Sequence, residues 1–170
     1  NIFASDVAAD FGAYLPRIID KDVTKNGRQN RDLNANLMIK WLAGRLTNND
    51  VGAPGEVEAG YAGDQGPQRG WQAITQDQAA EYALAGYLVI VGWDNKDKPG
   101  NSGHMAVVRP ESTQQEILVA QAGSDNYESV KLAAAFSVSS CPPHTDRSPR
   151  LEFFVFLAEP DPKIQQEGHN

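Results

Sequence analysis

Five consecutive residues at positions 87–91, Tyr-Leu-Val-Ile-Val, constrain this chain more than any other stretch. They are β-branched or apolar at every position rather than at every second one. A strand built from them is therefore apolar on both faces, which is the pattern of a central strand and not of an edge. Gly86 stands directly before the run and closes a helix-like pattern. The chain thus switches from helical to strand periodicity near Tyr87.

Helical spacing dominates before the switch. Phe3, Val7, Ala8 and Phe11 recur at helix intervals over residues 2–11, and Gly12 fits a C-terminal stop. Residues 12–16 turn the chain, and the polar stretch 20–32 reads as a surface loop. A second helix is expected over 33–46, with Leu37, Met38, Trp41, Leu42 and Leu46 on its apolar face. Residues 48–70 are rich in Gly, Asn and Asp and read as a long loop of the functional or mobile kind. Thr75 is placed to cap a third helix over 76–85, with Asp77 and Gln78 in its first turn.

Strand patterns follow. Residues 104–108 and 116–121 flank a turn at 110–114 and predict an antiparallel pair. Residues 127–137 read as a strand and a short helix, 139–150 as a Ser- and Pro-rich loop, and 151–157 as a last apolar strand. The tail beyond Glu159 is polar. Helices before strands predict an α+β domain, with helices packed on one face of a mostly antiparallel sheet. The length of 170 residues fits one such domain over the whole chain, with the polar tail from about 160.

Charge narrows the partners. The net charge is −7, and the 15 Lys and Arg residues are scattered. Phosphate binding needs clustered cations, so nucleic acid and a strongly anionic membrane surface are both disfavoured. The longest apolar runs, 87–91 and 153–158, fall far short of the ~20 residues of a membrane span. The one cysteine, Cys141, excludes a disulfide within this sequence. No metal is expected: His104, His144 and His169 are dispersed, Cys141-x-x-His144 supplies two ligands, and residues 94–100 lack the alternating ligands of a calcium loop. No phosphate-binding glycine motif occurs, so no cofactor is expected.

The residues that can carry chemistry cluster around His104. It follows Gly103 and opens an apolar strand. Imidazole takes and returns a proton near neutral pH, and a strand would fix the ring while the glycines leave room for a substrate backbone. The alternative is a partly buried structural histidine. Gln121 ends the next strand. If the two strands pair, its amide carbonyl can accept the imidazole N–H and set the tautomer; otherwise it is a solvent-facing glutamine. The first residues, Asn1-Ile-Phe-Ala-Ser-Asp-Val, are helix-like from the start with no cap, which predicts that something precedes them.

Together these residues resemble the papain-like cysteine hydrolases of the NlpC/P60 and CHAP kind. Asn1, Phe3, Asp6 and Val7 are similar to the part after the cysteine in Cys-Asn-x-Phe-x-x-Asp-Val. Gly103, His104 and Ala106 match Gly-His-x-Ala, and Ala120-Gln121-Ala-Gly123 fills the place of the next-strand polar residue. Between them, Leu33 to Asn36 ahead of Trp41-Leu42, then Gly70-Trp71 and Ala85-Gly86, fall in the family's order.

The resemblance implies a papain-like fold and acyl transfer through a thioester. It puts the nucleophilic cysteine immediately ahead of Asn1, with His104 as general base and Gln121 orienting it. The Asn1 backbone N–H would help hold the oxyanion, Gly103 would face the substrate, and Trp71 or Trp93 would wall the cleft. It further implies an amide bond in or next to the peptide stem of peptidoglycan as substrate, hence export or delivery to the cell wall. An immunity or inhibitor protein as partner is not legible in the chain. Two rivals share the fold: an inactive module binding cell-wall peptide or a partner protein, and a peptidase or deamidase acting on protein. Cys141 lies after the histidine, against the family's order, and reads as a spare loop thiol or as a partner for a thiol on another segment.

Overall fold

The computed structural model describes residues 2–16, 34–47, 50, 65–94, 103–122, 126–136 and 151–159. Among the described residues the α-helices and strands up to the central apolar run are α1 (Ile2–Asp10), α2 (Ala35–Leu42), β1 (Trp71–Ile74), α3 (Gln76–Leu84) and β2 (Val89–Trp93). There follow β3 (His104–Val108), β4 (Leu118–Gln121), β5 (Tyr127–Lys131), the one-turn helix α4 (Leu132–Ala135) and β6 (Leu151–Phe156). The strands form one sheet in the order β1-β6-β2-β3-β4-β5, antiparallel at every pairing. The domain is thus α+β.

β2 is the central strand that the apolar run required, though it begins two residues later than the run does. All five of its residues are buried, between β6 and β3. Tyr87 instead stays half-exposed and packs edge-on against Tyr82 of α3, their ring centroids 5.6 Å apart.

Alternation along the strands sorts the core into two layers. Leu88, Ile90, Met105, Phe154 and Phe156 meet Ala4 and Ala8 of α1 and Met38, Ile39, Trp41 and Leu42 of α2. Val89, Val91, Ala106, Val108, Val119, Phe153 and Val155 meet Ala79, Ala80 and Ala83 of α3 and Leu132 and Ala135 of α4. Helices therefore cover both faces of the sheet, which corrects the expectation of a single helical layer. The reason lies in β2 itself. Each of its fully buried aliphatic side chains is worth about 1.5–3 kcal/mol out of water, so neither face can be left bare.

Local signals set most element ends. Asn34 caps α2 by accepting from Leu37 N at 3.0 Å, so that helix starts at Ala35 rather than Leu33. Thr75 caps α3, and Gln78 reaches back to the Thr75 N–H at 3.0 Å, completing a capping box. Gly12 follows α1 with φ of 66°, a left-handed turn that a side chain would strain. α1 ends at Asp10, which leaves Phe11 exposed rather than on the helix's apolar face.

The segment ahead of α3 is more ordered than its pattern suggests. Residues 71–74 form an edge strand paired with β6, Trp71 opposite Phe156. The stretch expected to be loop up to residue 70 ends in a short 3-10 helix, Gly66–Arg69. The loops expected at 20–32 and 139–150 and the tail past Glu159 lie outside the described residues. No helix among the described residues is long and apolar enough to cross a membrane.

Candidate functional site

β3 and β4 build the site at one end of the sheet. Val107 pairs with Ala120 and Val108 with Val119. Continuing that register puts Gln121 one diagonal step from His104, on the same face, a span that a long side chain crosses. It does: His104 Nε2 and Gln121 Oε1 stand 2.6 Å apart. An amide oxygen can only accept, so Nε2 carries the proton and donates. The lone pair is then on Nδ1, the nitrogen left to act as a base. Gln121 is itself buried, so its acceptor is shielded from competing water.

Trp93 lies directly across the β2–β3 ladder from His104, on the same face and buried in the α3–α4 layer. Trp71 is elsewhere. It sits on the far edge strand, in the other layer, against Phe156 at 5.4 Å and with its indole N–H donating to Tyr14 O at 2.9 Å. The sheet order puts β6 and β2 between its strand and that of His104.

Gly103 is tightly enclosed. A Cβ there would come within 2.2 Å of the Trp93 carbonyl oxygen and 2.3 Å of Asn36 Oδ1. The room that a glycine was expected to leave for a substrate backbone is filled by the chain's own α2. Asn36 therefore presses on the residue that leads into His104, a contact between elements 67 positions apart that no local pattern announces.

A cleft of about 520 Å³ opens beside the end of β4, lined by Phe3, Arg109, Ala120, Gln121, Asn126 and Tyr127 among others. Phe3 brings the amino end of α1 to it. Arg109 is held in place by two hydrogen bonds to the Glu111 carboxylate, at 3.0 and 2.9 Å, and one to the Glu128 carbonyl at 2.6 Å. The first of these contacts keeps the Glu111 carboxyl below its ordinary range. The amino end of α1 and Gln121 thus border one cleft. The His104 ring does not face α1: it lies with Ala106 and Val108 on the α3–α4 side, whereas Ala4 and Ala8 pack on the other.

Asn1, Cys141, His144 and His169 lie outside the described residues. Among the described residues no group of three or more His, Cys, Asp or Glu side chains is placed to hold a metal ion. One neighbour of His104 was not legible in the sequence. Phe136, at the end of α4, packs against the imidazole in a tilted arrangement, with centroids 4.9 Å apart. Its segment, Leu-Ala-Ala-Ala-Phe, carries no polar signal that would single it out.

The fold and site define an α+β domain with a histidine–glutamine pair at the end of an antiparallel sheet. The chain matches no protein-family model, and no curated protein matches it.

Proposed function

We propose that this domain is a cysteine amidase of the papain-like type, acting on an amide bond in or next to the peptide stem of peptidoglycan. The observation that carries the catalytic part is the His104–Gln121 hydrogen bond at 2.6 Å, which leaves Nδ1 free as a base. The substrate class rests on the sequence resemblance alone. The nucleophile this reading requires is a cysteine immediately ahead of Asn1.

In the proposed reaction His104 Nδ1 takes the thiol proton as sulfur attacks the amide carbonyl. The imidazolium then gives that proton to the departing amine, leaving a thioester. Water, deprotonated by the same nitrogen, attacks the thioester, and the thiolate is released and reprotonated. Gln121 holds the ring through both half-reactions.

A second reading is favoured by one observation. His104 faces the α3–α4 side, and α1 packs on the other, so a thiol at the head of α1 has to reach round the end of the sheet. A domain in which it does not would bind cell-wall peptide in the cleft of Phe3 and Tyr127 without cutting it.

Turnover of defined muropeptides separates the two. The protein carrying Cys directly before Asn1 should cleave them, and His104→Ala should lower the rate about 10²- to 10⁴-fold. Gln121→Ala should cost less, and Cys141→Ser little. Full activity in His104→Ala, or complete loss in Cys141→Ser, refutes the assignment. Calorimetric binding without any cleavage establishes the second reading instead.

A further inference from the structure

The His104–Gln121 hydrogen bond opposes a flip of the imidazole only by its own modest net strength. It fixes the distance from Nε2 to the carbonyl, but a half-turn of the ring about its bond to Cβ would exchange Nδ1 and Nε2 with ring carbons. In that flipped state Gln121 faces a C–H, and the base nitrogen points elsewhere. Something else has to oppose the turn if the base is to stay aimed.

Phe136 is in position to do so. Its ring centroid is 4.9 Å from that of His104, with planes 58° apart, well inside the range of favourable aromatic pairs. An imidazole turning through the perpendicular would sweep into the phenyl ring. Phe136 is only 6% exposed, so it cannot swing away cheaply. It is anchored as the end of α4, where its N–H donates to Leu132 O at 2.9 Å and the Leu132 N–H donates to Ile117 O at 2.9 Å. Leu132 and Ala135 are buried in the same layer.

We infer that Phe136 is a positioning residue that locks the ring orientation of His104 and thereby keeps Nε2 on Gln121 and Nδ1 available as the base. Its consequence for catalysis rests on the amidase reading. The lock itself does not.

Two-bond proton–nitrogen correlation spectra of the ¹⁵N-histidine protein test it, with the His104 signals assigned by their absence from His104→Asn. The unmodified chain should show one Nε2–H tautomer and an Nε2 proton slow to exchange with water. Phe136→Leu keeps apolar volume and a folded core but removes the ring; it should lose the slow proton and gain a share of the Nδ1–H form. Phe136→Tyr keeps the ring and should look like the unmodified chain. A Phe136→Leu spectrum identical to the unmodified one overturns the inference, as does a Phe136→Tyr spectrum that changes as much as Phe136→Leu. In the protein carrying Cys before Asn1, Phe136→Leu should lower kcat about tenfold at unchanged KM, a fraction of a full general-base contribution. Spectra that respond as expected in a protein with no turnover at all refute the amidase reading while upholding the lock.

Discussion

Gly103→Ala is the sharpest test of how the site is held. The added methyl would lie 2.2 Å from the Trp93 carbonyl oxygen and 2.3 Å from Asn36 Oδ1, where real Cβ contacts essentially never fall below 3.0 Å. The two neighbours yield differently. Asn36 presents the end of a side chain and can rotate. The Trp93 carbonyl belongs to a strand paired on both sides, with His104 and with Leu151, so its retreat distorts two ladders. Overpacking of this kind costs about 1–3 kcal/mol, and an unyielding backbone neighbour puts the expected loss near the upper end, about 3 kcal/mol. For a domain of this size that lowers Tm by roughly 6–12 °C. Urea unfolding followed by tryptophan fluorescence reads it directly, because Trp41, Trp71 and Trp93 are all buried. The midpoint should fall with the slope unchanged. Adding Asn36→Ala should recover part of the loss, about 0.5–1.5 kcal/mol of coupling between touching residues. A loss in Gly103→Ala below about 0.5 kcal/mol, the ordinary scatter of surface substitutions, would refute the close-packing argument.

Two further outcomes are expected. Thr75→Ala removes the α3 cap, the hydrogen bond that Thr75 Oγ1 accepts from the Gln78 N–H, and should cost about 1 kcal/mol, read as a Tm lowered by roughly 2–4 °C. Asp50 gives an acid signature. Burial raises its pKa, but hydrogen bonds from Lys40 and Thr47 outweigh that, and the net shift is below the ordinary 3.8. A folded-state pKa lower than the unfolded one contributes stability above the unfolded value, and that stability is lost as pH falls through the folded value. Asp50→Asn should therefore be less stable than the unmodified chain at neutral pH, with the gap closing below pH 3.8 in urea titrations. A gap that persists unchanged into acid would refute the assignment.

Much of the local architecture was legible because its causes are local. The unbroken apolar run near Tyr87 specified a central strand, Thr75 and Gln78 specified a helix start, and Gly12 and Gly86 specified helix ends through left-handed turns with φ of 66° and 89°. The strand pair of His104 and Gln121 was legible for the same reason, since a short turn joins them and the period of two decides which residues share a face.

The edge strand β1 was not legible, because four residues of mixed character become a strand only through pairing with Phe153 to Phe156, some 80 positions away. Nor was the enclosure of Gly103 by Asn36, or the packing of Phe136 against His104. Periodicity by itself determined that His104, Ala106 and Val108 share one face; for α1 it pointed to Phe3, Val7, Ala8 and Phe11, of which Ala8 is fully buried, beside Ala4, while Phe11 is exposed. Only the tertiary structure decided that these surfaces lie on opposite sides of the sheet. A strand's alternation fixes which side chains go together, but the side on which a helix settles depends on where the connecting chain crosses, and that is set by contacts between residues far apart in sequence.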